Sequence, residues 1–159
     1  MAGVINVLEQ FYQSRSTNSP VLSSATKHWD EIYVSRFYNW HPGAIKDGYS
    51  HVSFYQLKPD ASDDALDTFS KSLVVPLMEK QLAAGTIAEY EIDTQAIHTD
   101  APGEFLIVYV ATSPEGLDKV SGAVEEAIRS NPMGGAAFRA MTDGSAHRDE
   151  LVRTNATYK

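Results

Sequence analysis

Tyr49-Ser50-His51-Val52-Ser53-Phe54-Tyr55-Gln56-Leu57-Lys58 runs into Pro59-Asp60-Ala61-Ser62-Asp63-Asp64, and this stretch sets the reading of the chain. Aromatic and β-branched residues recur through its first part, which predicts a strand from Tyr49 to Lys58. Pro59-Asp60 closes that strand as a turn. Ser62 has the chemistry of a helix cap, and Asp63 and Asp64 stand where carboxylates meet the positive end of a helix dipole. Leu66, Phe69, Leu73, Leu77 and Leu82 then supply a buried stripe at helical spacing. Pro76 removes a backbone donor inside this pattern and predicts a kink, and Gly85 is suited to end the helix.

Downstream, Thr86 to His98 reads as a second strand and Thr99-Asp100-Ala101-Pro102-Gly103 as a turn. Glu104 to Thr112 is a third strand, apolar on both faces and so predicted to be central. Ser113-Pro114-Glu115 opens a second helix whose apolar face is Leu117, Val120, Val124, Ala127 and Ile128. Asn131-Pro132 stops it, and Gly134-Gly135 leads into a short helical piece around Phe138 and Met141. From Glu150 to Tyr158, Val152, Thr154, Ala156 and Tyr158 alternate with polar residues, which predicts a fourth strand.

Upstream, Val4, Ile5, Leu8, Phe11 and Tyr12 share a helical face, and Ser14 to Ser24 reads as a loop. Trp29 to Trp40 fits a helical stripe and a strand alike. Its second half reads as extended, ended by His41-Pro42-Gly43. Val34 to Gly43 also echoes Val52 to Asp60; one reading is a duplicated strand that extends the sheet, and the favoured one is chance, because aromatic strands ending at Pro look alike. The expected organisation is an N-terminal extension over residues 1–45, packing on a domain over 46–159.

The order strand–helix–strand–strand–helix–strand is the ferredoxin-like plan, an α+β fold with an antiparallel sheet and helices on one face. Such a sheet leaves its other face needing cover. A second copy packed sheet to sheet is the expected cover, so a homodimer is the expected assembly.

Composition narrows the function classes. The chain has 159 residues, 43% hydrophobic and 21% charged, which suits one domain with its own core. It has no cysteine, so thiolate nucleophiles, thiolate metal sites and disulfides are absent. A formal net charge of -8 repels phosphate backbones and anionic membranes, so neither is an expected partner. The longest apolar run, Phe105 to Ala111, is strand-sized, and the first residues do not read as a signal peptide. A cytoplasmic protein is expected.

His51-Val52-Ser53-Phe54-Tyr55-Gln56-Leu57-Lys58-Pro59-Asp60, the helix after it, the hairpin Ile97 to Phe105 and the tail from Ala146 through Tyr158 together resemble the dimeric α/β-barrel superfamily. Within it they resemble the antibiotic-biosynthesis-monooxygenase-like proteins, and the tail resembles uncharacterised bacterial members. The resemblance implies a cofactor-independent monooxygenase or a binder of a small aromatic molecule, with no cofactor. The alternative is a non-catalytic homodimeric module whose sheet face is interface alone. Haem-degrading relatives carry a histidine ligand on the second helix, and Glu115 to Ser130 contains none. In cofactor-independent oxygenases an Asn, a Trp and a Tyr or Arg surround the substrate. Asn39, Trp40 and Arg36 precede the matching region and do not align to those roles.

Alternate strand residues share a face, so Tyr49, His51, Ser53, Tyr55 and Leu57 lie together, opposite Val52 and Phe54. The expectation is that Val52 and Phe54 face the helices, and that the first set lines a cavity between the sheet and its covering partner. Tyr109 on the third strand, and Tyr90 and His98 on the second, extend the row. The candidate ligand-binding residues are therefore Tyr55, His51, Tyr90, Tyr109 and His98, with His51 and Tyr55 the candidates for moving a proton. The plainer alternative is a half-buried dimer interface, where tyrosine is common. None of the five histidines shows metal-ligand spacing, so no metal is expected. There is no nucleophile elbow and no phosphate loop.

Overall fold

A computed structural model describes residues 10, 31–42, 45–96 and 102–157. The expected helix at Val4 to Tyr12, the loop at Ser14 to Ser24 and His98 lie outside the described residues, apart from Gln10. The chain divides into units at Glu31/Ile32. The second unit is the sheet domain treated below.

Five strands form one sheet in the order β1-β3-β4-β2-β5, with every neighbouring pair antiparallel. They are β1 (Tyr33–Trp40), β2 (Ile45–Gln56), β3 (Ile87–Gln95), β4 (Glu104–Ala111) and β5 (Arg148–Thr157). β2 and β3 lie parallel with β4 between them, and their connection carries the first helical layer. β4 and β5 are likewise separated by β2, and their connection carries the second. This is the ferredoxin-like arrangement expected from the sequence. β1 is an addition: the extended half of Trp29–Trp40 becomes an edge strand beside β3, within the stretch read as an extension. β4 is flanked on both sides, which accounts for apolar residues on both its faces.

The first helical connection has three pieces. They are α1 (Ala65–Phe69), a π turn (Ser70–Val74) and α2 (Val75–Ala83). Pro76 has no N–H to return to the preceding turn, and the widened π turn directly precedes it where the kink was predicted. Ser62 does not cap by its side chain. The helix starts one turn later, with Asp64 at the cap position and a backbone bond from Ala65 N to Ser62 O. Gly85 ends the helix at φ +69, with Gly85 N donating to Leu82 O and Thr86 N to Gln81 O. That paired arrangement needs a left-handed residue, which glycine adopts without steric cost.

In the second connection, Ser113 caps α3 (Pro114–Ser130) by accepting from Gly116 N at 3.3 Å. Asn131 ends α3 and caps α4 (Pro132–Met141), its Oδ1 accepting from Gly134 N at 3.0 Å. α3 meets the sheet closely at its start, where a side chain on Gly116 would lie 2.9 Å from Thr86 O.

The core lies between the helices and one sheet face. Phe105, Ile87, Ile92 and Val120 are essentially inaccessible there, with Leu66, Phe69, Met78 and Leu82 above them. Tyr55 opposes Phe105 on neighbouring strands, and Tyr109 opposes both His51 and Tyr90. Directly opposed antiparallel residues share a face, so His51, Ser53, Tyr55 and Tyr109 all point toward the helices. This corrects the expectation that Val52 and Phe54 would do so. Alternation fixes which residues travel together. It does not say which set meets the helices when both sets are rich in apolar side chains.

Candidate functional site

The helix layer does not close fully on the sheet. A cavity of about 460 Å³ lies between them inside one subunit. Its floor comes from β2 (His51, Ser53, Tyr55), β4 (Ile107, Tyr109), β5 (Asp149) and His147 just before β5. Its roof comes from the first helical connection (Phe69, Leu73, Leu77), α3 (Val120, Val124, Ile128) and α4 (Phe138, Arg139). The apolar face predicted for α3 is accordingly unequal. Val120 is 1% exposed where the helix touches the sheet, whereas Val124 and Ile128 are 38% and 40% exposed where it overhangs the cavity.

Rings organise the floor. His51 stacks on Tyr109 with centroids 5.1 Å apart. Tyr55 stacks on His147 at 4.5 Å, nearly parallel, and meets the edge of Phe138 at 5.0 Å. These offsets and edge contacts are the preferred geometries of aromatic pairs.

Asp149 is the polar hub. It opposes Ser53 across the β2–β5 pair and accepts from Ser53 Oγ through Oδ1 at 2.7 Å. His147 Nε2 lies 3.1 Å from Oδ2, and His51 Nε2 lies 3.8 Å from Oδ1. His147 Nδ1 is 3.0 Å from the Phe54 carbonyl, which can only accept, so Nδ1 carries a proton and donates. Its Nε2 then faces a carboxylate, and a single proton must lie between Nε2 and Oδ2 to hold the contact.

His51 has a different balance. Ser53 Oγ gives its one proton to Asp149, so at 3.4 Å from His51 Nδ1 it accepts from that nitrogen. Nε2 then holds the lone pair, 3.8 Å from Asp149 Oδ1 and beyond hydrogen-bond distance. An imidazole fixed by one hydrogen bond, with its other nitrogen free to accept, is the arrangement of a general base.

The tyrosines are held neutral. Burial raises the Tyr55 phenol above its ordinary value, and the Asp149 charge adds to this, while the Ser53 hydrogen bond works the other way. Tyr109 is pushed up to about 12, by burial first and then by the charges of Asp149 and Tyr55. The sign of the consequence follows from linkage. From pH 10 the unfolded chain releases the Tyr109 proton while the native chain keeps it until about 12, so stability is full below 10 and falls across that window. Urea midpoints between pH 10 and 12 should therefore fall less steeply for Tyr109→Phe than for the wild type. Equal slopes would contradict the assignment.

Of the residues proposed from sequence, His51, Tyr55 and Tyr109 meet at the cavity. Tyr90 shares their sheet face but does not line the cavity. Its hydroxyl donates to Glu79 Oε1 at 2.6 Å, and burial followed by that bond raises its pKa. His98 lies outside the described residues. Arg36 pairs with Asp67 at 3.3 Å, Asn39 donates to Glu79 at 3.0 Å and Trp40 stacks on Tyr38, so none of the three reaches the cavity. His147, Asp149, Phe138 and Arg139 were missed. A signal for two of them existed, since His147 and Asp149 stand two apart and so share a strand face. The strand was expected to begin only at Glu150. Among the described residues no group of three His, Asp or Glu side chains is placed to hold a metal ion, and no helix is long and apolar enough to cross a membrane.

No protein-family model matches this sequence, and neither does any curated protein. Solved structures do match in fold. An anthrone oxidase-like protein superposes with a TM-score of 0.54 at 12% identity, over 95% of this chain and 66% of its own. A dimeric ferredoxin-like protein of unknown function from Thermobifida fusca gives 0.50 at 11%, over 73% of this chain and 99% of its own. A protein from Lactobacillus acidophilus named "putative monooxygenase" gives 0.48 at 19%, and this chain spans 53% of its length. At these identities the likeness is one of fold.

Proposed function

We propose that this chain, which has the ferredoxin-like fold of the dimeric α/β-barrel proteins, binds a small planar hydroxylated aromatic compound in its intrasubunit cavity and oxidises it with molecular oxygen, without a cofactor. The observation that carries the reading is the cavity's composition. Unfilled apolar walls at Val124 and Ile128 face a floor where His51 holds a free lone pair beside Asp149. Apolar walls with a few convergent polar groups suit such a ligand. The anthrone oxidase-like neighbour supports the class of chemistry by fold analogy alone.

For an anthrone-type substrate the step runs as follows. His51 Nε2 takes a proton from the ring hydroxyl of the enol form, leaving a delocalised anion. The anion passes one electron to O2, and the resulting radical pair joins at carbon as a peroxide. The proton returns from His51 to the peroxide, and the hydroperoxide loses water. The methylene becomes a carbonyl, with one oxygen atom retained and the other released as water. Tyr55 and Tyr109 remain protonated throughout and serve as donors toward the anion.

Oxygen uptake against anthrones, naphthols and hydroquinones, with chelator present and no flavin, tests this reading. One substrate in the panel should consume oxygen in a one-to-one ratio, and Tyr55→Phe and His51→Ala should both slow it. Unchanged rates in both variants would remove the proposed site.

The homodimer belongs to the same proposal. It is supported by the dimeric Thermobifida fusca neighbour and by Tyr38 and Val152, exposed at 55% and 51% on the sheet face away from the helices. Light scattering should give twice the subunit mass. The cavity does not depend on this outcome, because its walls all come from one chain.

A further inference from the structure

The cavity has a charged residue that the oxidation does not use. Arg139 projects from α4 and lines the helix side, whereas His51, Asp149 and His147 lie on the sheet side. Its guanidinium folds back along the helix. Nη1 lies 3.6 Å from where a side chain on Gly135 would begin, beside Ile128. A residue other than glycine at 135 would press on Ile128, 3.1 Å away, and touch Arg139 at ordinary contact distance.

Arg139 also stands apart in its pairing. Arg36, Arg129, Arg148 and Arg153 each meet a carboxylate, at Asp67, Glu126, Glu150 and Asp47 respectively. Among the described residues Arg139 is the arginine with no acidic partner, although the chain carries 21 acidic residues against 13 basic ones. On so acidic a surface a guanidinium would readily pair, yet this one faces a cavity whose wall is apolar.

We infer that the ligand carries a carboxylate, which Arg139 binds from the helix side while the ring hydroxyl meets His51 on the sheet side. The substrate class is thus a hydroxylated aromatic acid. Asp149 reinforces the orientation, since it repels a carboxylate turned toward the sheet. The two anchors fix which ring position faces the base, so Arg139 is a specificity-determining residue. A guanidinium binds a carboxylate through two parallel hydrogen bonds, which lysine cannot reproduce. This inference rests on the cavity being the aromatic-binding site.

Isothermal titration of the full chain with a hydroxynaphthoate and with the matching carboxamide tests it. The wild type should bind the acid about 10- to 100-fold more tightly than the amide, the range expected for a charge-assisted bidentate pair. Arg139→Gln should abolish that preference by weakening the acid far more than the amide, and Arg139→Lys should retain part of it. Equal wild-type affinities for acid and amide, or equal weakening of both by Arg139→Gln, would overturn the role of Arg139 and leave the cavity reading standing. No binding of either compound would overturn the cavity reading and this inference together.

Discussion

His51→Ala is expected to lower turnover of an oxidisable hydroxylated aromatic by roughly 10²–10⁴-fold, the loss typical of removing a positioned general base. The melting temperature should hardly move, because the side chain is already 27% exposed at the cavity. Stopped-flow or electrode measurement of oxygen uptake separates the two effects. The loss should appear in kcat with KM little changed, since the imidazole acts on the proton rather than on the rings that hold the ligand. Asp149→Asn sharpens the test. It keeps the size of the side chain but removes the negative charge 3.8 Å from His51 Nε2, so kcat should fall and its pH profile should shift. A merely structural Asp149 would lower stability and leave that profile in place.

Phe105→Ala should have the largest effect on stability. Phe105 is 0% exposed at the centre of β4, stacks on Tyr55 at 5.4 Å and opposes both Tyr55 and Thr94 on the neighbouring strands. Truncation removes the buried ring and leaves a void flanked on both sides by strands that cannot close over it. The expected loss is about 3–5 kcal/mol, against a total that for a domain of this size is about 5–15 kcal/mol. Urea unfolding followed by circular dichroism would report it. A loss below about 1 kcal/mol would mean the core is not centred on β4. The same variant should also release Tyr55 from its stacked position, so ligand affinity should fall even where the protein remains folded.

The elements of the sheet domain were legible because each carries its own local signal. The apolar stripe of α3, the Ser113 cap and the Gly85 stop are decided within a few residues of chain, and all three are found. Ser62 was misjudged as a cap because the helix begins only at Ala65, with Asp64 at the cap position and no side-chain cap bond there. β1 was ambiguous because Trp29, Ile32, Tyr33, Phe37 and Trp40 satisfy both periods. Its pairing with β3 decides the matter, and pairing is a long-range property.

The site was legible in part. Period-two alternation correctly grouped His51, Ser53 and Tyr55. It could not place them under the helices, because Val52 and Phe54 are as apolar as the set they oppose. Phe54 instead lies beneath the Arg148 guanidinium, 3.4 Å from its ring centre. The cavity itself has no signature in the sequence. It arises where α3 overhangs the sheet, and Val124 and Ile128 look in the sequence like any other core residues. Asp149 was hidden for a simpler reason: its meaning depends on the register that sets it opposite Ser53.

The proposed function rests on an intrasubunit chamber that holds a flat ring over the β2–β4 floor, with its hydroxyl turned to His51. A crystal structure of the protein with a hydroxynaphthoate tests this most directly. The ring should lie between the β2–β4 floor and Val124 and Phe138, with its hydroxyl at His51 Nε2. A ligand bound on the far face of the sheet, beside Val52 and Phe54, would contradict the account, as would helices collapsed onto the floor with no space between.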